Sequence, residues 1–406
     1  MKKPYERLME YCRVNTMSDE AAEKSPTTKV QFDLANLLLG ELEELGVSDL
    51  YLDDTCVLYG TIPATPGQET APAIGFIAHL DTAPDFSGID VKPVVHENYD
   101  GEDICLPLCD RVIRVSDFPH LKEMKGKTVI TASGDTLLGS DDKAGIAEIV
   151  CLCERLLNSD IPHGKVCIAF TPDEEVGLGT SNFDIPRFGA DFAYTLDGGR
   201  AGEVVFENVN AASAVVTVEG VSVHPGSAKN IMVNASLVAM EINAMLPAGE
   251  IPACTEDYEG FFHLISMEGS VEKATLTYII RDHDGNKLDH RVDTLKHIEK
   301  LMKEKYGETA VSLKIRMGYR NMAEKVKERM EIVEAAFRAV ENAGLTLSTD
   351  PIRGGTDGAN LTWEGLLCPN LGTGSYGFHG PYEHSIAEDM ELCVDMLEGI
   401  LKEFCV

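Results

Sequence analysis

The strongest constraint on this chain is a rhythm in its first 210 residues, where apolar runs of strand length alternate with stretches of helical periodicity. Ala73–Ala78 (AIGFIA), Lys165–Phe170 (KVCIAF) and Asp191–Leu196 (DFAYTL) read as buried strands. Val30–Glu44 is helical in pattern. Lys143–Leu157 puts Ile146, Ile149, Val150, Cys153, Leu156 and Leu157 on one helical stripe. Strands alternating with helices predict an α/β layer built on a mixed, largely parallel sheet.

Near Ala211 the rhythm changes. Ala214–Val218 alternates like a strand, Ile231–Leu246 is helical, a loosely patterned strand falls around Phe261–Met267, and Ala274–Arg281 is a strand. Lys287–Tyr306 is a charged amphipathic helix and Ala310–Met317 a final strand. That β-α-β-β-α-β order is the split-βαβ, ferredoxin-like pattern of a small α+β domain. A helix over about Ala323–Ala343 then returns to the first domain. The expected organisation is one domain from residues 1–210 and 321–406, with residues 211–320 inserted.

The 406 residues, 44% of them hydrophobic, allow a large core and two domains. A formal net charge of -32 argues against nucleic acid and anionic membrane surfaces as partners. It serves solubility, or some of the acids gather to hold cations. The 11 cysteines form no paired CxxC knuckles, and Cys151, Cys153 and Cys167 sit in apolar runs as small buried hydrophobes. So many free thiols point to a reducing, cytoplasmic setting. The start, MKKPYERLMEYCRV, has no signal-peptide core, and no run of about 18 apolar residues predicts a membrane span.

Polar clusters sit at the ends of apolar runs: His79-Leu80-Asp81, Asp173-Glu174-Glu175 and Asp197-Gly198-Gly199, with Asp141-Asp142 just before a helix. In open α/β sheets sites form beyond the carboxyl ends of strands, so such clusters can meet in one crevice. Each has a plainer reading. His79 and Asp81 face one side of an extended segment, as a metal-bound His and its orienting carboxylate do, but a strand-end turn reads the same. Asp141-Asp142 suits a helix N-cap. Glu174-Glu175 is often a solvated pair, yet adjacent carboxylates can also divide into a metal ligand and a general base. A fifth cluster, Gly377-Phe378-His379-Gly380-Pro381-Tyr382-Glu383-His384, offers His379 or His384 as a ligand. Together, two His and three carboxylates make an N/O donor set suited to Zn²⁺, Co²⁺ or Mn²⁺.

With these residues in place, the chain resembles the peptidase T family, within the di-zinc exopeptidases that include carboxypeptidase G, aminoacylases and succinyl-diaminopimelate desuccinylase. The segments HLDTAPDFSG, LGSDDKAGIAEI, FTPDEEVG, YTLDGG, VHPGSAKN, YIIRDHDG, IRGGTDGANL and FHGPYE carry the resemblance, in family order, from His79 to Glu383. It implies a zinc-exopeptidase-like catalytic domain with an inserted lid and dimerisation domain, hence a homodimer, and two zinc ions per subunit. Asp141 is then expected to bridge both ions, His79 and Asp197 to complete one site, and Glu175 and His379 the other. The family spacing, with three residues between the ligand His and a Glu, selects His379 over the extra His384. The resemblance assigns Glu174 as general base and Asp81 as the residue that orients His79, and it implies a cis peptide at Asp141-Asp142. It gives His224 the task of polarising the substrate carbonyl, within the subunit or across a dimer. Arg281, Asn230 and Arg353 are candidates to grip a peptide's C-terminal carboxylate, because an Arg fork meets a carboxylate bidentately; surface or structural ion pairs are the plainer reading.

The activity implied is removal of the N-terminal residue from tripeptides. The rivals within the superfamily are a dipeptidase, a carboxypeptidase and an N-acyl amino-acid deacylase. No GxGxxG follows the first strands, against a nucleotide-dependent oxidoreductase, and no GxSxG elbow is present, against a serine hydrolase. A catalytically inactive binding protein is disfavoured because every expected ligand and the base are in the sequence.

Overall fold

The computed structural model describes every residue except Glu23 and Arg353. It divides into two compact units, one of Met1–Phe206, Met322–Asp350 and Thr356–Val406, the other of Glu207–Asn321 with Pro351–Gly355.

The larger unit is built on a seven-stranded sheet in the order Ser48–Leu52, Leu58–Ile62, Val166–Thr171, Ile74–His79, Phe192–Leu196, Asn370–Leu371, Val204–Val205. Its centre is parallel: Ile74–His79 pairs in parallel with Val166–Thr171 and with Phe192–Leu196, which pairs in parallel with Asn370–Leu371. The outer pairs are antiparallel, so the sheet is mixed. Both faces are covered, which is why the central strands read as continuous apolar runs. On one face Phe76, Ile168, Phe170 and Tyr194 join a core with Ile146, Ile149, Val150 and Leu397. On the other, Ile77, Cys167, Ala169 and Ala193 pack with Phe188, Leu361 and Cys368. The split follows the two-residue period of a strand. Gly75 is needed where it stands, because a Cβ there would lie 2.5 Å from the Phe188 ring.

The helix Ser140–Leu157 is buried on nearly every side, packed against Ile74–His79 and the C-terminal helix Ala387–Glu403. A smaller sheet, in the order Ser375–Tyr376, His384–Ile386, Val129–Thr131, Val94–His96, was not foreseen. Strands of two or three residues carry too few positions to show a period.

The smaller unit is a four-stranded antiparallel sheet, Phe261–Gly269, Lys273–Asp282, Asn210–Glu219, Val311–Met317, with the helices Ala235–Ala244 and Gly285–Tyr306 packed on it. Ala212, Ala214, Val216 and Val218 interleave with Ala274, Leu276, Tyr278 and Ile280 in its core. This is the ferredoxin-like order read from the sequence. The first helix starts at Ala235 rather than Ile231, because Asn234 caps it by accepting from Ser236 N at 3.0 Å while Val233 bridges to Val221. In the larger unit the segment read as one helix over Ala323–Ala343 is broken into Ala323–Val326, a 3₁₀ turn at Lys327–Arg329 and the helix Glu331–Asn342. Among the described residues no helix is long and apolar enough to cross a membrane.

One buried residue breaks the apolar pattern. Glu148, on the Ser140–Leu157 helix, is fully buried, and among the described residues neither of its carboxylate oxygens has a hydrogen-bond partner. Burial, then the charge of Asp142, pushes its pKa well above the ordinary 4.5. The folded chain therefore binds a proton here that the unfolded chain has released above pH 4.5, and stability falls as pH rises through that window. Glu148→Gln removes the linkage. The difference in unfolding free energy between variant and parent should shift in the variant's favour from pH 5 to pH 7, by up to about 1.4 kcal/mol per pH unit; a difference independent of pH would show that Glu148 is not held neutral.

Candidate metal centre

The parallel register does the first part of the assembly. His79 pairs with Thr171 at the carboxyl ends of adjacent strands, and Leu80 N donates to Thr171 O at 2.7 Å. The turn holding Glu174 and Glu175 begins just after Thr171, and Asp197 ends the neighbouring strand Phe192–Leu196. Three acid-bearing segments therefore leave the sheet at one edge. Asp141 and Asp142 reach this edge from the start of the Ser140–Leu157 helix. They have non-helical backbone angles and are joined by a cis peptide, and neither carboxylate caps the helix.

The result is a cluster around the Asp141 carboxylate. One oxygen lies 3.1 Å from His79 Nε2, and His79 Nε2 lies 3.9 Å from Asp197 Oδ1. The other oxygen lies 3.5 Å from His379 Nε2, which is 2.9 Å from Glu175 Oε2. Two groups of donor atoms result, His79–Asp141–Asp197 and Asp141–Glu175–His379, each within 4.8 Å and sharing Asp141. The mixed N/O donor set suits a divalent cation. Glu175 Oε1, buried and without a partner among the described residues, is a donor atom left for one. No cation is needed to explain the backbone, but the charge is hard to place otherwise. Burial and the charge of Asp141 raise the pKa of Glu175 to about 7 and that of Asp197 well above its usual range. Hydrogen bonds to Asp141 and Glu175 raise His379 to about 11. Burial opposes charge on His79, yet hydrogen bonds to Asp141 and Asp81 hold its pKa well above normal.

The surrounding hydrogen bonds fix these groups. His79 Nδ1 faces Asp81 at both its backbone oxygen, 3.1 Å, and Oδ1, 3.3 Å. Both are acceptors, so Nδ1 keeps a proton, and Nε2, 3.1 Å from Asp141 Oδ1, is the nitrogen that a cation would take in place of a proton. Asp81 also accepts from Glu174 N at 2.9 Å and Glu175 N at 3.2 Å, joining the first histidine to the Glu174-Glu175 turn. Asp173 anchors that turn from the far side by accepting from Thr27 N, 2.8 Å, and Gln31 Nε2, 2.6 Å. Glu174 borders a narrow gap with His79, Asp142, Thr195, Asp197 and Asp357. Burial and the charge of Asp197 raise its pKa well above normal, in the direction a proton acceptor near neutrality requires.

Glu383 was read only as a spacing marker, and it does more. Its carboxylate accepts from Leu138 N, Gly139 N, Ser140 Oγ and Asp141 N at 2.7–2.9 Å. It thus supplies the acceptors a helix start lacks and sets where Asp141 points. Because Glu383 lies in the same segment as His379, one loop both delivers a histidine and positions the shared aspartate. Asp357, bonded to Thr171 Oγ1 at 2.7 Å, and Asp85, whose carboxylate lies 3.5 Å from His379 Nδ1, were also missed. Both stand inside quoted motifs, IRGGTDGANL and HLDTAPDFSG, and asking the task of every acid in those motifs is the signal that finds them. His384 lies elsewhere, with Nδ1 donating to Tyr382 O at 2.7 Å and Nε2 2.9 Å from His120 Nε2, in a stack with Tyr376.

His224, Asn230 and Arg281 belong to the smaller unit. His224 is exposed, and its Nδ1 accepts from Gly226 N at 3.1 Å, which leaves the proton on Nε2. Asn230 is exposed with φ +62°. Arg281 is half-buried and donates to Ile280 O at 3.1 Å; among the described residues no carboxylate pairs with it. Arg353 lies outside the described residues.

A family model described as "Peptidase dimerisation domain" matches residues 206–310. A peptidase T of Halothermothrix orenii is 50% identical over 404 residues, covering 99% of each chain. Among solved structures, the aminopeptidase PepT of Bacillus cereus superposes with a TM-score of 0.79 at 24% identity, over 99% of this chain and 98% of that one. A tripeptidase of Staphylococcus aureus gives 0.79 at 20%, over 98% and 97%. Fold, donor cluster and relatives together define a metallopeptidase. Within that class, the chain belongs to the peptidase T family.

Because Glu383 orders the Asp141 segment, Glu383→Gln should weaken divalent-metal binding by roughly 10- to 100-fold, the usual effect of removing an outer-shell partner. His384→Ala should leave metal affinity near that of the parent. Metal titration of the two folded variants decides; equal affinities for parent and Glu383→Gln would mean that the cradle does not position Asp141.

Proposed function

We propose that this chain is a di-zinc aminopeptidase that removes the N-terminal residue from tripeptides, working in the cytoplasm as a homodimer joined through the inserted domain. One observation carries the reading: Asp141 turns one oxygen to the His79–Asp197 group and the other to the Glu175–His379 group. A carboxylate shared in this way would let Asp141 serve two cations at once. The donors contain no thiolate and suit zinc, with Co²⁺ or Mn²⁺ as substitutes. The names of the relatives and the matched dimerisation model support the substrate and the assembly.

When bound, the two ions polarise the scissile carbonyl and lower the pKa of the attacking water toward 7. The chain supplies the rest. Glu174 takes the proton from the water and returns it to the leaving amine. Asp81 keeps His79 in the tautomer that offers Nε2. His224, with its proton on Nε2, donates to the carbonyl oxygen as negative charge develops there. Arg281, Asn230 and Arg353 hold the C-terminal carboxylate. Among the described residues no carboxylate pairs with the half-buried guanidinium of Arg281, which favours this role over a structural ion pair.

Three measurements test this reading. Hydrolysis of free di-, tri- and tetrapeptides with and without chelator should show chelator-sensitive release of the first residue, greatest for tripeptides. Release from the other end, cleavage only of dipeptides, or hydrolysis only of N-acylated amino acids would assign a sister reaction, and no turnover with metals bound would indicate a binding protein. Glu174→Gln should keep both metals and lose nearly all turnover, because an amide cannot accept the proton; near-parental rates would remove Glu174 from the mechanism. Amidating the tripeptide's C-terminus should lower kcat/KM roughly 10- to 100-fold, as for loss of a charge-assisted contact of about 1.5–3 kcal/mol. Arg281→Ala should cause a similar loss with the free acid and little more with the amide; losses that simply multiply would place the carboxylate elsewhere.

A further inference from the structure

An aminopeptidase must recognise a free α-ammonium, and a carboxylate is the natural partner for it. The cluster is rich in carboxylates, but nearly all are committed. Asp141, Glu175 and Asp197 are the donor set and Glu174 is the base. Asp81 is engaged by His79 and two backbone N–H groups. Asp173 and Glu383 are saturated by the donors described above. Asp357 and Asp142 are buried beneath the cluster, the first bonded to Thr171 and the second to His79 N at 3.1 Å.

Asp85 is different. Its side chain is 57% exposed, and its Oδ2 lies 3.5 Å from Nδ1 of His379, at the outer limit of a hydrogen bond. Among the described residues it is the one exposed carboxylate in contact with a member of the cluster, and no Lys or Arg pairs with it. It sits on the turn after His79-Leu80-Asp81, a segment tied down by Thr82 N donating to Thr16 O and Ser18 N donating to Thr82 O. The carboxylate is thus available to solvent on a fastened segment. His379 stands between it and the donor groups, 3.5 Å from Asp85 on one side of the ring and 2.9 Å from Glu175 on the other, so Asp85 borders the cluster without belonging to it.

We infer that Asp85 binds the α-ammonium of the substrate's first residue and so makes the enzyme select free N-termini. This rests on the aminopeptidase reading above. The alternative is that Asp85 only orients His379, as Asp81 orients His79.

The test compares trialanine with its des-amino analogue, propionyl-Ala-Ala, using Asp85→Asn, Asp85→Glu and the parent, each loaded with zinc. Metal content and melting temperature are measured in parallel. Asp85→Asn should bind two zinc ions as the parent does and lose roughly 10- to 100-fold in kcat/KM on trialanine, the factor of a charge-assisted hydrogen bond. On the des-amino peptide it should lose less than about 3-fold, since only coupled groups depart from additivity. Where des-amino turnover is too slow to follow, competitive inhibition constants of the two peptides give the same comparison. Asp85→Glu, which keeps the charge, should recover part of the loss. Equal losses on both peptides, or weakened zinc binding, would assign Asp85 to His379 and overturn the proposal. If the parent cleaves neither peptide, or releases residues from the other end, the aminopeptidase reading itself has failed.

Discussion

The site depends on where the Asp141 carboxylate is held. Its two oxygens face two imidazoles, His79 and His379, that arrive from opposite ends of the sequence. Neither contact fixes the carboxylate by itself. Glu383 does so, by accepting the N–H of Asp141 and the two N–H groups that precede Ser140. A helix start ordinarily satisfies its free N–H groups with a local side chain or water. Here the acceptor comes from residues near the C-terminus, so the helix start and the histidine loop are ordered together.

The parallel sheet makes the rest of the arrangement possible. Adjacent parallel strands end level with one another, as His79 and Thr171 do, and each can place a polar residue at the same edge without interrupting the core behind it. Asp81 then links neighbouring strand ends by bonding to His79 and to the N–H groups of Glu174 and Glu175. Proposed ligand, base and orienting residue are thus tied by hydrogen bonds of 2.9–3.3 Å around the Asp81 carboxylate. That arrangement favours preorganisation over adjustment when substrate binds.

Much of this was legible in the sequence, and what was not has physical causes. The central strands announced themselves through continuous apolar runs because both faces of the sheet are covered. The ferredoxin-like unit showed its order because Ala212, Ala214, Val216 and Val218 alternate strictly with more exposed residues. The Asp141-Asp142 pair, taken alone, read as a helix cap; what makes it otherwise is a hydrogen bond to a residue 242 positions away, which no local pattern encodes. The same distance hid the task of Glu383. His379 and His384 were not separable by residue type. The folded chain distinguishes them because His384 is paired with Thr131 in a small sheet whose strands are too short to read, and is bonded to His120. The break at Lys327–Arg329 left no mark in the apolar pattern, since the segments on both sides remain helical.

The central claim is that Asp141 couples two metal sites into one. Its most direct test is equilibrium dialysis against Zn²⁺ of the parent and of Asp141→Asn, with metal content determined on protein shown to be folded by circular dichroism. The account predicts two ions per chain for the parent. At zinc concentrations that saturate the parent, Asp141→Asn should retain neither ion, because both sites lose the same ligand. A variant that keeps two ions, or keeps one at the parent's affinity, would contradict a shared carboxylate and with it the two-ion centre proposed here.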